Sequence, residues 1–129
     1  MIQRIQSLYL LLVIILSSVT LYFSLTNNFE IELNFWFYKF YGFYLIPIFG
    51  FLSLLFYSKR KVQSILCLLL ILFNIIVITF YVLKVFQGNI NRIILIVVGV
   101  SFLESVLLIL ARIAINKDEK LVRSIDRIR

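Results

Sequence analysis

Glu104 stands alone. It is the one ionisable residue well inside an apolar run of the chain, about eleven positions into a stretch of about eighteen, which at about 1.5 Å per residue sets it near the middle of a bilayer. A carboxylate there costs roughly 2.5 to 3.5 kcal/mol on insertion scales, so it should be protonated or hydrogen-bonded and should face other helices rather than lipid. Asn74 lies at a comparable depth in the preceding apolar run, and the two are expected to meet. Cys67, Asn74 and Tyr81 recur every seven residues and share one helix face, and Ser101 lies one turn from Glu104, where a small residue permits close backbone approach. Two chemistries fit. Glu104 is a proton or cation site to which Asn74 and Tyr81 supply hydrogen bonds, or it is a clamp between helices. One carboxylate in a chain this small would need a second subunit to build a transport path, so the first reading implies a homo-oligomer.

The rest of the composition removes most enzymatic chemistry. Histidine is absent and Cys67 is the single cysteine. That takes away the commonest general base and zinc ligand, and leaves no disulfide or multi-thiolate site within one chain. No cluster of acids could hold a metal or act as an acid and base pair, so the expectation is a protein without catalytic residues, cofactor or bound metal.

The elements that position these residues follow from the hydropathy. The chain has 129 residues, 63% of them hydrophobic, with a mean hydropathy of +1.07, against roughly 45 to 50% apolar residues in a soluble domain. The 15% charged residues gather between long uncharged runs, the pattern of helices that span lipid. The expected fold is an all-α membrane protein, a bundle of four transmembrane helices forming a single domain, with spans at about residues 8–25, 41–57, 62–86 and 93–110 and a tail at 111–129. A cleaved signal peptide competes for the first run because Arg4 precedes it, but there is no small-x-small cleavage site and a retained helix is expected. Residues 29–44 crowd aromatic side chains around Glu30, Glu32 and Lys39. This suits a headgroup belt, with an alternating extended stretch that puts Ile31, Leu33 and Phe35 on one side, or else an aromatic binding platform on the outer face. Pro47 predicts a kink in the second span, and Gly50 gives a neighbouring helix room to approach. Residues 58–61 make so short a turn that the second and third spans must form an antiparallel hairpin.

Thirteen basic residues against six acidic ones give a net charge of +7, and their placement sets the orientation. With a cytoplasmic N-terminus, Arg4, Lys59, Arg60, Lys61, Arg112, Lys117, Lys120, Arg123, Arg127 and Arg129 lie inside, and Lys39, Lys84 and Arg92 outside. Ten against three obeys the positive-inside rule, which predicts both termini in the cytoplasm.

The tail is the second candidate site. Leu121, Ile125 and Ile128 recur at i, i+4 and i+7 with Val122 beside them, among Lys117, Lys120, Arg123, Arg127 and Arg129, an amphipathic helical pattern. Basic residues near a membrane surface attract anionic headgroups by about 1 kcal/mol each. Asp118, Glu119 and Asp126 dilute that attraction and suit a protein partner in the membrane or cytoplasm equally well. Nucleic acid is not expected, since the segment is short and lacks an aromatic for base stacking.

The two ends also carry a resemblance. The chain opens MIQRIQSLYLLL and closes NKDEKLVRSIDRIR, and in this it resembles the small bacterial four-helix inner-membrane proteins of domain-of-unknown-function family 4293, which open with MIQRIQ and close with a KDE, LVRS and DRLR pattern. The matching positions are Gln3, Arg4 and Gln6, then Lys117, Asp118, Glu119, Leu121, Val122, Arg123, Ser124, Asp126, Arg127 and Arg129, with Ile128 where the pattern has leucine. The resemblance implies the four-helix topology and a bacterial inner-membrane location, and it brings no reaction with it. It points to the two ends as one docking surface, and it does not cover Glu104. A noncatalytic membrane scaffold or accessory subunit docking through its tail is thus the first functional expectation. A small proton-coupled transporter using Glu104 is the alternative.

Overall fold

The computed structural model describes residues 2–26, 42–88 and 92–126. The aromatic stretch at 29–41, Arg127 and Arg129, and the side chains of Arg4 and Arg123, lie outside the described residues. Four α-helices follow one another, with no strand among the described residues: α1 (Ile2–Thr26), α2 (Gly42–Leu55), α3 (Arg60–Phe86) and α4 (Arg92–Asp126). Three of them contain stretches long and apolar enough to cross a membrane, at Ile5–Tyr22, Arg60–Leu83 and Ile94–Val122, while the second is a shorter apolar helix, Leu45–Ser58. These lengths and compositions suggest a membrane protein.

Pro47 sits inside α2, where it removes one backbone donor. A 3₁₀ turn, Phe56–Ser58, tightens the end of that helix. The connection to α3 is then Lys59 alone, whose N–H donates to the Phe56 carbonyl at 2.9 Å and whose carbonyl accepts from the Gln63 N–H at 3.1 Å. At the far end α3 closes on Gly88, whose φ of 88° is in the left-handed region that favours glycine.

Each helix packs against its neighbours in sequence, and α4 returns to α1 to close a ring; among the described residues the backbones of the diagonal pairs do not approach one another. Antiparallel packing of α4 on both flanks follows from paired contacts. Gln6 on α1 reaches Ala114, and on α3 Arg60 reaches Asp118, Ser64 reaches Asn116 and Asn74 reaches Glu104. The start of α1 and the far end of α4 therefore share one end of the bundle.

The buried positions advance by alternating steps of three and four. On α4 they are Ile94, Val97, Ser101, Glu104, Leu108, Ala111, Ile115 and Asp118, with Ser105 buried beside Glu104; on α1 they are Gln6, Leu10, Val13, Ser17 and Thr20. On α3, Gln63, Cys67, Leu70, Asn74, Val77 and Tyr81 do the same, with Ser64 buried beside Gln63. That is the heptad seam of a coiled-coil-like bundle. Large apolar side chains such as Leu8, Phe51, Ile65 and Phe102 point outward. In a monomeric soluble protein, exposed apolar patches rarely exceed a few hundred Å². Here they lie on all four helices.

The helix at the fourth span runs on without interruption past residue 110, and Ala111, Ile115 and Asp118 stay buried in the ring. Arg112 lies within this helix, partly exposed as a residue but with its Nε buried and without a hydrogen-bond partner among the described residues. Gly50 fits the close approach expected of it: a Cβ there would meet Ile14 Cγ1 at 3.0 Å. Cys67 is fully buried. The intact protein should therefore resist a bulky maleimide, and labelling followed by mass spectrometry should detect the adduct only once the bundle is unfolded.

Candidate functional site

Two polar constellations emerge, one in the middle of the bundle and one at the end that α1 and α4 share. Glu104 is 1% exposed and Asn74 0%, because both occupy seam positions of antiparallel neighbours. Asn74 Nδ2 donates to Glu104 Oε2 at 3.3 Å. Asn74 Oδ1 and Glu104 Oε1 are buried without a hydrogen-bond partner among the described residues. On one side of the pair is an apolar cluster built around Leu10, Val13, Leu70, Leu108 and Ala111. On the other are Val77, Tyr81, Ile94 and Val97, so Tyr81 belongs to this second layer, with its ring edge-on to Phe80 at 5.9 Å.

The small polar residues of the seam behave differently. Ser17, Thr20, Ser53 and Ser105 each donate to a carbonyl three or four residues back in their own helix, at 2.7 to 3.0 Å. Their hydroxyls are satisfied locally, so they act as compact spacers that let helices approach. Ser101, also buried, offers its carbonyl to Ser105. Asn74 and Glu104 are too long for such local bonds, and their hydrogen bond joins two helices.

At the shared end the polar groups knit three helices together. Gln6 Nε2 donates to the Ala114 carbonyl at 3.0 Å, and Ser64 Oγ to Asn116 Oδ1 at 2.8 Å. Arg60 meets Asp118 at two points: Nε lies 3.2 Å from Oδ2, an ion-pair contact whose angle makes no hydrogen bond, and Nη1 donates to the Asp118 carbonyl at 3.4 Å. Sequence reasoning placed Arg60 in a loop and Asp118 on a docking face. Pairing them required knowing that α3 and α4 are antiparallel with this register, and the seven-residue spacing of Glu104, Ala111 and Asp118 was the signal available.

Beyond that ion pair α4 continues through Asp126, about 12 Å at 1.5 Å per residue, with Lys120, Leu121, Val122 and Ser124 exposed. Between this projecting part and the α2–α3 turn is an open cleft of about 640 Å³, lined by Tyr57, Lys59, Arg60, Lys61, Glu119 and Val122 among others. Because the Arg60 and Asp118 side chains remain 22% and 12% exposed, solvent screens the pair, and Arg60→Ala should lower stability by about 1 kcal/mol rather than the larger cost of a fully buried pair. Arg60→Lys should not restore it, since an ammonium cannot reproduce the two-point grip. Thermal melts of the purified protein check both.

A family profile described as Domain of unknown function (DUF4293) matches residues 33–128. The chain belongs to the DUF4293 family. The match takes in α2, α3 and α4, including the Lys117 to Asp126 pattern, and residues 1–32 precede it. No curated protein and no solved structure matches the chain. The DUF4293 assignment thus agrees with the resemblance carried by the closing motif, and it supplies no activity.

Proposed function

We propose that this DUF4293 protein is a noncatalytic scaffold or accessory subunit of the bacterial inner membrane, spanning it four times with both termini in the cytoplasm and docking a protein partner through the end of α4. The observation that carries the reading is the Arg60 to Asp118 grip: it fixes α4 at the rim of the bundle, so the residues after Asp118 project as a stiff post rather than a loose tail. Lys59, Lys61, Lys117 and Lys120 are exposed at that same end, which supports its cytoplasmic placement, and Lys59 and Lys61 line the cleft. The second helix with its 3₁₀ turn reaches about 27 Å, close to the thickness of a hydrocarbon core.

Deleting residues 119–129 removes the post and spares Asp118. In crosslinked native membranes that variant should remain folded and lose the proteins attached to the full chain. An unchanged crosslinking pattern would remove the docking reading, and compartment-sensitive tags reporting opposite sides for the two termini would remove the topology. The runner-up, a small proton-coupled transporter in which Glu104 serves a homo-oligomer, draws on the same buried carboxyl. The apolar layers on either side of Glu104 weigh against a hydrated path through one subunit, and Glu104-dependent ion flux in liposomes would reverse that choice.

A further inference from the structure

The Asn74–Glu104 pair stands apart from the docking end of the bundle and has its own shortage of hydrogen-bond donors. A primary amide carries two N–H donors beside one carbonyl acceptor, whereas an ionised carboxylate can only accept. With Asn74 Nδ2 already donating to Glu104 Oε2, an ionised Glu104 leaves two oxygens of the same pair, Glu104 Oε1 and Asn74 Oδ1, buried with no donor to satisfy either. Each stranded acceptor is destabilising, because burial takes its water away and returns nothing. A single proton on Oε1 removes both deficits, because a neutral acid presents an O–H beside a C=O, the complement of the amide's C=O beside its N–H.

We infer that Glu104 holds one resident proton on Oε1 and donates it to Asn74 Oδ1, closing an acid–amide ring of two hydrogen bonds between α3 and α4. Among the described residues no other hydrogen bond to the carboxylate is made. Facing the interior, α1 brings Ser17 and Thr20 and α2 brings Ser53, none of them charged, and the titratable Tyr9 of α1 packs against the neighbouring apolar cluster. The titratable neighbours on α3, Cys67 and Tyr81, are each seven residues from Asn74 and neither is a cation. On α4 the nearest charge is Arg112, eight residues on, about 12 Å along the axis; its Nε is buried but makes no hydrogen bond to either stranded oxygen. The apolar clusters on both sides separate the ring from water. The proton therefore has a structural role, as the third component of a latch between two helices.

Infrared spectroscopy of the full chain in lipid nanodiscs at neutral pH reads this directly. A protonated-carboxyl C=O band should be present in the wild type and lost in Glu104→Gln; if the two spectra differ only in the carboxylate region, the inference fails. Melting gives an independent measure. Glu104→Gln puts an N–H where the acid has its O–H and keeps the ring, so it should melt close to wild type, while Glu104→Ala loses both bonds and should melt several degrees lower. Glu104→Gln melting as low as Glu104→Ala would overturn the proposal. So would a Glu104-dependent rise in melting temperature on adding sodium, potassium or calcium, because a cation would then occupy the proton's place.

Discussion

Asn74→Val should lower the unfolding free energy by about 1–3 kcal/mol, and adding Glu104→Met should recover most of that loss. The first change leaves the Glu104 carboxyl buried with no partner at all, since its described hydrogen bond comes from Asn74. The second change removes the stranded group and leaves an apolar contact of similar volume, which is commonly neutral or stabilising where a buried polar pair is replaced whole. Interhelical hydrogen bonds in membranes average only about 0.6 kcal/mol. Most of the single-variant cost is thus the penalty of a stranded polar group. Equilibrium unfolding of both single variants and the double variant in mixed micelles gives the coupling. Strictly additive losses would mean that the two side chains do not act as a pair.

Gly50→Leu should be about as damaging, at about 1–3 kcal/mol, because even a Cβ at this position would be 3.0 Å from Ile14 Cγ1. Gly50→Ala is the informative control. Its contact requires Ile14 to yield by a few tenths of an ångström, while replacing glycine in a helix returns up to about 1 kcal/mol, so its net effect should be near zero. Ile14→Ala combined with Gly50→Leu should cost less than the two separate losses added together, which a melting series would reveal. If Ile14→Ala gives no relief, the contact between α1 and α2 is not what limits the size of residue 50.

These two sites were legible in the sequence for different reasons. Glu104 and Asn74 stood out as polar residues at matching depths of consecutive spans, and a short turn between antiparallel helices must bring such depths together. Gly50 was legible because it follows Pro47 in an otherwise bulky run. The seams of α1 and α4 were harder to see. In water a buried face is marked by its greasy residues, but in a bundle whose outside is equally greasy the interior is marked by small and polar ones: Gln6, Ser17 and Thr20 on α1, Ser101, Glu104, Ala111 and Asp118 on α4. A search for amphipathic helices passes over that reversed pattern. The Arg60 to Asp118 and Ser64 to Asn116 contacts depend on register between helices, which no single helix encodes. The aromatic stretch after α1 lies outside the described residues, so its belt-or-platform alternatives stand as they were.

The alternation of three and four along α4 has a rotational consequence. A repeat of seven lags a helix of 3.6 residues per turn by about 20° per heptad, which such bundles absorb by coiling to the left. From Ile94 to Asp118 the lag accumulates to roughly 70°, so the azimuth of Lys120 and Leu121 is set by every seam residue below them. One residue inserted between Leu108 and Ala111 would swing that far end by about 100° while barely changing its height. Whatever approaches it would find the same side chains facing a different way.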